Sequence, residues 1–174
     1  WTHLRLKNRP EEFQFVIVSD RTGGHRAHVF SRAVQQINLL RPEFVLSVGD
    51  LIEGYTEDAK QLEAEWKEFQ GFVEQLEMPF FYVPGNHDIT NVKMEKKWKE
   101  KFGRHHYHFL YHDVLFLILN SEDPPASKGG GNISNNQIAW ARKVLADNRD
   151  VRWTIVALHK PLWNRSHYKP EENG

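Results

Sequence analysis

The residues with the most varied chemistry in this chain stand together in the segment Gly85-Asn86-His87-Asp88. Asn86 offers an amide oxygen, His87 an imidazole that titrates near neutral pH, and Asp88 a carboxylate that could fix the tautomer of that ring. Gly85 allows the sharp turn that would present them, since glycine adopts positive φ at little steric cost. The apolar run 80–83 predicts a buried strand that ends at this segment. We therefore interpret the segment as part of a site.

Other apolar runs end in the same way. Each of four runs is followed by a potential metal ligand: Asp20 after residues 13–18, Asp50 after 44–48, Asn86 after 80–83 and His159 after 153–158. Ligands of parallel α/β sheets bind beyond the carboxyl ends of the strands, so we expect these side chains to share one edge. Carboxylate, amide and imidazole donors together suit Mn, Fe or Zn. A carboxylate such as Asp50 could bridge two ions that clamp a phosphate ester, and His87 could protonate the leaving alkoxide.

Each of these residues also has a plainer explanation when it is taken alone. Asp20 and Asp50 could cap the helices that follow them. Asn86 and Asp88 are ordinary turn formers, and His159 could be a histidine of the core. We favour the shared site because these residues follow successive strands of one predicted sheet edge.

Helices predicted from apolar residues at helical spacing separate the strands. The first has apolar positions at Phe30, Ala33, Ile37 and Leu40 and ends at Pro42, and the second has Leu62, Trp66, Phe69, Val73 and Leu76 after a Thr56 cap. The basic segment 94–102 is interpreted as a solvated helix. Ser134 and Gln137 have the spacing of a capping box, which predicts the start of the last helix.

Residues 107–111 and 114–119 alternate as two antiparallel strands would, with a turn at His112-Asp113 between them. The alternation of strands and helices elsewhere predicts a single α/β domain over residues 1–174. In such a domain a largely parallel sheet is covered by helices.

The composition excludes several classes of protein. Lys plus Arg equals Asp plus Glu at 23 each, so excess basic charge for non-specific nucleic-acid binding is lacking. The chain has no cysteine, which excludes disulfides and thiolate sites. It has no apolar run long enough to span a membrane, and we expect a soluble protein. Cytoplasmic and exported locations are not distinguished, and the sequence does not indicate an oligomeric state.

The chain resembles the calcineurin-like metallophosphoesterases in the order of its motifs and in their position after strands. The matching motifs are Asp20, Gly49-Asp50, Gly85-Asn86-His87-Asp88 and His159. The similarity extends from Phe13 to Trp163 and is to a bacterial-type member. The resemblance implies a β-sandwich of two mixed sheets flanked by helices. It also implies a hydrolase of small phosphomonoesters or phosphodiesters with two divalent or trivalent Mn, Fe or Zn ions.

The same resemblance assigns roles to the residues. Asp50 would bridge the two metals, Asp20 would bind the first, and Asn86 and His159 would bind the second. His87 would be the proton donor or a phosphate contact. Asp88 beside His87 is a further catalytic candidate, and Arg21 beside Asp20 is a candidate for substrate binding.

The chain departs from the family pattern in two places. Thr22 stands where the first motif usually has histidine, so His25 could replace that ligand, the first metal could be held poorly, or water could take the position. No later segment matches the family's last histidine motif, so the sequence looks like a family member that is incomplete at its C-terminus. The departures leave open a non-catalytic module, a phosphoesterase-like fold with a depleted metal site that binds a ligand or a protein. A Rossmann nucleotide-binding domain is disfavoured, because no Gly-x-Gly-x-x-Gly follows the first strand.

Overall fold

The computed structural model describes residues 12–24, 26–125 and 131–161, in which strands and helices alternate. The elements in chain order are β1 (Phe15–Val18), α1 (Val29–Leu40), β2 (Phe44–Ser47), α2 (Ala59–Val73), β3 (Phe80–Phe81), α3 (Val92–Phe102), β4 (Tyr107–Tyr111), β5 (Val114–Ile118), α4 (Asn135–Asp147) and β6 (Trp153–Ala157). They form two three-stranded sheets. The first, β1-β2-β3, is parallel. The second, β4-β5-β6, is mixed, with an antiparallel β4–β5 pair and a parallel β5–β6 pair.

The strand alternation alone predicted one largely parallel sheet, and this is corrected by the structure. β6 follows a helix, as a strand of the first sheet would, but it pairs with β5 in the second sheet. The two-sheet arrangement flanked by helices that the resemblance implied is confirmed.

The two sheets pack face to face through an aromatic core. The ring of Phe44 on β2 meets Phe116 on β5 edge to face at 5.2 Å between centroids. Phe81 on β3 stacks on Phe109 of β4 at 4.1 Å. All four residues of β2 are buried, because helices cover the other face of its sheet. This explains why β2 is a continuous apolar run and does not alternate.

Helices α1, α2 and α3 cover the first sheet, and α4 covers the second. The buried stripe predicted for α2 is confirmed at Leu62, Trp66, Phe69 and Val73, and Leu76 is buried just after the helix ends. The segment interpreted as a solvated helix is α3, but one of its faces is core, with Met94, Trp98 and Phe102 buried. Its lysines occupy the other face, where Lys97 and Lys101 pair with Glu63 of α2 at 2.7 and 2.8 Å.

Local signals set several element boundaries. The N-cap of α2 is Asp58, whose side chain accepts from the N–H groups of Lys60 and Gln61, and the predicted cap Thr56 instead accepts from the Asp58 N–H. Ser134 caps α4 by accepting from the Gln137 N–H, as predicted. Among the described residues, no helix is both long and apolar enough to cross a membrane.

Parallel pairing places the carboxyl ends of β1, β2 and β3 at one edge of the first sheet. The loops that follow these strands carry Asp20, Asp50 and the 85–88 segment. The end of β6 reaches the same edge from the second sheet, because His159 Nδ1 donates to the Val48 carbonyl just after β2 at 2.8 Å. The edge where both sheets meet therefore carries the predicted ligands.

Candidate active site

Two glycines allow the loops after β2 and β3 to lie against each other. A Cβ at Gly49 would fall 2.7 Å from the Cα of Gly85 and 2.8 Å from Nδ1 of His159. A Cβ at Gly85 would overlap the Asp50 carboxylate. Gly49 also has a φ of 99°, which residues with a Cβ rarely adopt. The sequence needs glycine at both positions because the two backbones touch where the candidate ligands are presented.

Asp88 joins these two loops through its buried carboxylate. The carboxylate accepts hydrogen bonds at 2.8 Å from the backbone N–H groups of Asp50, Leu51 and Gly85, and a longer one at 3.3 Å from Ile52. Burial raises the pKa of Asp88 to about 7, and the N–H donors act against that rise because they favour the charged form. Asp88 therefore holds the backbone that presents Asp50.

The expectation that Asp88 fixes the tautomer of the neighbouring ring is wrong. His87 Nδ1 lies 2.6 Å from the backbone carbonyl of Glu53, and since a carbonyl only accepts, Nδ1 donates. His87 Nε2 then faces Asp50, at 3.9 Å from its Oδ2. The His87 N–H donates to Asp50 Oδ1 at 3.0 Å. Asp88 is thus placed as a support of the loops, and Glu53 orients the histidine.

The structure brings the predicted ligands together. Asp20, Asp50 and His159 each offer one ligand atom, and these atoms lie within 4.8 Å of one another. His159 Nε2 lies 3.3 Å from Asp50 Oδ2 and 3.1 Å from Asn86 Oδ1. Metal-binding histidines usually donate their second ring N–H to a carbonyl or carboxylate, which is what Nδ1 of His159 does with Val48. Four residues from four separate segments therefore converge on one volume.

Electrostatics favour a positive charge at this point. Burial acts to lower the pKa of His159, but hydrogen bonding and charge interaction with Asp50 raise it to about 9. Burial acts to raise the pKa of Asp50, and hydrogen bonds from His159 and from the His87 N–H outweigh it, so the pKa lies below the usual range. The oxygens around His159 Nε2 thus stabilise a cation there, whether a proton or a metal ion. The mixed oxygen and nitrogen donors fit Mn, Fe or Zn.

Asp20 completes the cluster from the exposed side. It follows β1 in a left-handed conformation with φ of 50°, and its N–H donates to the Gly49 carbonyl at 3.1 Å. Its carboxylate accepts a hydrogen bond from the Ser19 hydroxyl. Solvent reaches Asp20, whereas Asp50 is buried. An ion held by both would be accessible on the Asp20 side.

Thr22 occupies the position where the family motif has histidine, and it serves the backbone. Its buried hydroxyl lies 2.7 Å from the Ile52 carbonyl and 3.1 Å from the Asp50 carbonyl, and can donate to either. The Thr22 N–H donates to the Asp50 carbonyl as well, at 3.2 Å. Thr22 therefore links the loop after β1 to the loop after β2 through hydrogen bonds to these carbonyls. His25, the candidate replacement, lies outside the described residues.

The guanidinium of Arg21, the candidate for substrate binding, has partners inside the protein. Nη1 donates to the Leu51 carbonyl at 3.0 Å, and Nη2 pairs with Glu68 of α2 at 2.7 Å. The guanidinium carbon also lies 5.0 Å from the centroid of the Phe72 ring. The side chain is only 7 % exposed. Arg21 thus anchors the β1 loop to α2.

Two residues beside the site were missed in the sequence. Glu53 acts through its backbone carbonyl, which has no signature in residue type. Tyr55 accepts a hydrogen bond from Asn86 Nδ2 at 2.8 Å and lies edge-on to the His87 ring at 4.6 Å between centroids. An exposed aromatic residue after a glycine in a ligand-bearing loop was a usable signal for Tyr55.

The sequence was compared with known proteins. The family model described as calcineurin-like phosphoesterase matches residues 13–173. The probable glycerophosphodiester phosphodiesterase GpdQ of Arcobacter nitrofigilis is 25 % identical over 165 residues, which cover 92 % of this chain and 55 % of that protein. The serine/threonine-protein phosphatase CPPED1 of Homo sapiens is 30 % identical over 148 residues, 78 % of this chain and 46 % of that protein. This chain therefore spans about half the length of these relatives.

Solved structures share the fold. A dimetal phosphatase from Danio rerio superposes with a TM-score of 0.66 at 14 % identity, over 86 % of this chain and 70 % of that one. A purple acid phosphatase from yellow lupin, Lupinus luteus, gives a TM-score of 0.57 at 19 % identity, over 82 % of this chain and 29 % of that one. With the family match over nearly the whole sequence, these findings show that the chain belongs to the calcineurin-like phosphoesterase family.

Proposed function

We propose that this protein is a metal-dependent phosphoric ester hydrolase that acts on a small phosphomonoester or phosphodiester. One observation carries the proposal: Asp50 Oδ2 and Asn86 Oδ1 both lie within 3.3 Å of His159 Nε2, although the three residues follow different strands. Relatives named as a phosphodiesterase and a phosphatase support the reaction class.

The donors divide into two overlapping sets. Asp50, Asn86 and His159 would hold one ion, and Asp20 together with Asp50 would hold another, with Asp50 shared between them. Mn, Fe and Zn all suit this mixture of donors. A bound pair of ions would neutralise charge on the phosphoryl oxygens and lower the pKa of a water molecule.

The residues of the chain supply position and proton transfer. Asp88 and Thr22 fix the backbone on both sides of Asp50, so that its carboxylate is held in place before any ligand binds. His87 donates Nδ1–H to Glu53, which leaves Nε2 as the nitrogen directed toward the metal ligands. A proton carried on Nε2 could pass to the oxygen of the leaving group.

A binding module without catalysis is the second candidate, and Thr22 is the observation that favours it. Because threonine stands where the family usually has histidine, this position offers no imidazole. The Thr22 hydroxyl is directed to two backbone carbonyls. A module of this kind would keep the Asp50–Asn86–His159 donors but hold the first ion weakly.

Metal content and turnover of the full-length protein separate the two candidates. We expect wild-type protein loaded with Mn²⁺ to hydrolyse p-nitrophenyl phosphate or bis-p-nitrophenyl phosphate, and Asp50→Asn to lose both metal and turnover. Asp113→Asn is the matched control, because Asp113 has a φ of 62°, similar to the 58° of Asp50, but lies in the β4–β5 turn. Metal binding without hydrolysis of either ester would favour the binding module, and absence of both would overturn the proposed metal site.

A further inference from the structure

We propose that Tyr55 is a positioning residue for this site, which directs the amide oxygen of Asn86 toward the metal and supports the ring of His87. The inference rests on the proposed function, because both residues act in the same metal site. Neither the family match nor the sequence motifs assign Tyr55 a role.

The contact with Asn86 distinguishes the two ends of the amide. Asn86 Nδ2 donates to the Tyr55 hydroxyl oxygen at 2.8 Å, and Asn86 Oδ1 lies 3.1 Å from His159 Nε2. Only the oxygen of an amide is a metal ligand, and a rotation by half a turn would present the NH₂ group to a cation instead. A partner that accepts from Nδ2 therefore favours the orientation that can bind metal.

The backbone of Asn86 is fixed separately, which leaves the side chain as the part that Tyr55 controls. The Asn86 carbonyl accepts from the Thr90 hydroxyl at 2.5 Å. The following N–H groups of the turn, those of Asp88 and Ile89, bond to the Gly85 carbonyl at 3.1 Å. Loss of the Tyr55 hydroxyl would thus free the amide torsion while the turn persists.

The contact with His87 comes from the same short segment. The Tyr55 ring is perpendicular to the imidazole, with 4.6 Å between centroids. Two residues earlier, the Glu53 carbonyl accepts from His87 Nδ1. Between them, a Cβ at Gly54 would overlap the His87 carbonyl, so this segment wraps closely around His87. Glu53 fixes one ring nitrogen, and Tyr55 limits movement of the ring plane.

The conformation of Tyr55 is unusual for a residue without a structural task. Its φ is 48°, a left-handed value that crowds the Cβ of any residue other than glycine. Tyr55 is 51 % exposed, so burial in the core does not account for this backbone. The left-handed backbone instead lets the phenol reach Asn86 and His87.

Two substitutions in the full-length protein separate the contacts. Tyr55→Phe removes the hydroxyl and keeps the ring, so we expect Mn²⁺ affinity to fall about 10-fold to 100-fold, the usual effect of losing a partner that orients a metal ligand. With Mn²⁺ saturating, kcat should stay near that of wild type. Tyr55→Ala should lower affinity in the same way and also reduce kcat for an alkyl phosphoester at saturating Mn²⁺, by about tenfold or more, because His87 transfers the proton less efficiently.

Isothermal titration with Mn²⁺ and steady-state rates against Mn²⁺ concentration measure both effects. Tyr111→Phe is the control. It removes a hydroxyl that donates to Glu43, and Tyr111 lies at the end of β4, away from the metal-site edge of the second sheet. A kcat that is low in Tyr55→Ala and near wild type in Tyr55→Phe would support the role of the ring. A merely structural role would instead lower Tm in both variants and leave the Mn²⁺ affinity unchanged, which would overturn the inference. Wild-type affinity in Tyr55→Phe together with wild-type kcat in Tyr55→Ala would overturn the inference alone. A wild-type protein that binds no Mn²⁺ would overturn the metal site and this role together.

Discussion

The carboxylate of Asp88 accepts a hydrogen bond from the backbone N–H of Asp50 at 2.8 Å, so one acid of the site holds the other in place. Asp88 is fully buried and takes no part in the ligand cluster itself. Its other bonds go to N–H groups of the same two loops. This relationship explains why an acid follows His87 in a segment whose candidate ligand is Asn86.

Asp88→Asn should therefore destabilise the protein and weaken metal binding together. At pH 8, above the Asp88 pKa of about 7, the amide would direct an NH₂ group at backbone N–H donors, and it would lose the charge that strengthens the remaining bonds. We expect a loss of about 3 kcal/mol in the free energy of unfolding, since bonds to charged groups are the strong ones. Urea unfolding measures it, with Asp113→Asn in the β4–β5 turn as the control. An unchanged urea midpoint would mean that these hydrogen bonds add nothing to stability.

Gly85→Ala should abolish metal binding through a single methyl group. Its Cβ would overlap the Asp50 carboxylate and lie 2.5 Å from the Asp50 backbone nitrogen, so the carboxylate or the loop must move. Gly71→Ala is the matched control, because a Cβ there has nothing within 4 Å and the residue lies inside α2. The control should gain up to about 1 kcal/mol of stability from helix propensity. Mn²⁺ binding by Gly85→Ala at wild-type affinity would contradict the close packing of the two loops.

The sequence was sufficient to predict which candidate ligands lie close together. Asp20, Asp50, Asn86 and His159 each follow an apolar run, and the rule that parallel strands present ligands at their carboxyl ends does not depend on the details of packing. The helices were also predictable where one face is core, as in the α2 stripe from Leu62 to Val73.

The sequence did not reveal contacts whose partners lie far along the chain or on the backbone. Arg21 beside Asp20 suggested a substrate contact, but its partner Glu68 is 47 residues away and on another element. Asp88 beside His87 suggested a hydrogen-bonded pair, but neighbours in a turn point in different directions, and the backbone N–H groups that bind Asp88 have no signature in residue type. The sheet to which β6 belongs depends on pairing energies between distant strands, which strand alternation does not encode.

His105, which is buried near the start of β4, should contribute less to stability as the pH falls below its ordinary pKa of about 6.5. The groups that face it are Glu95 and Lys99 of α3, His106, and Asn120 and Asp123 after β5. Burial lowers the pKa of His105, and Lys99 lowers it further, against the opposing effect of the nearby acids. The unfolded chain then binds the proton more readily, so the stabilisation is present above the unfolded pKa and is lost as the pH decreases through it.

Urea unfolding between pH 8 and pH 5.5, with the metal removed by chelation, measures this dependence. The raised pKa values of His159 and Asp88 act in the opposite direction in both proteins, so the comparison isolates His105. The stability of wild type relative to His105→Gln should decrease as the pH falls over this range. His112→Asn removes an exposed histidine from the β4–β5 turn, where φ is 46°, and should keep the wild-type slope. Equal slopes in wild type and His105→Gln would exclude His105 as the source.

Replacement of His87 should reduce turnover and spare the metal. Nε2 of His87 lies 3.9 Å from Asp50 Oδ2 and is outside the Asp20, Asp50 and His159 donor cluster, so metal content of His87→Ala should equal that of wild type. If His87 protonates the leaving oxygen, the effect must depend on the basicity of that oxygen. An alkyl phosphoester needs the proton and should lose about 100-fold or more in kcat, whereas a p-nitrophenyl ester leaves readily as the anion and should lose far less.

Steady-state kinetics of His87→Ala with the two classes of ester, beside metal analysis of the same samples, test this assignment. His87→Asn is a second variant, in which a smaller polar side chain can still bond to the Glu53 carbonyl but carries no titratable proton. It should behave as His87→Ala does if proton transfer is the function, and should recover activity if the ring only supports the loop. An equal loss for alkyl and p-nitrophenyl esters would point to phosphate binding by His87, because that contact is the same in both substrates. Loss of metal in both variants would place His87 among the ligands. Asp20, Asp50, Asn86 and His159 would then be unable to retain the metal without the His87 ring.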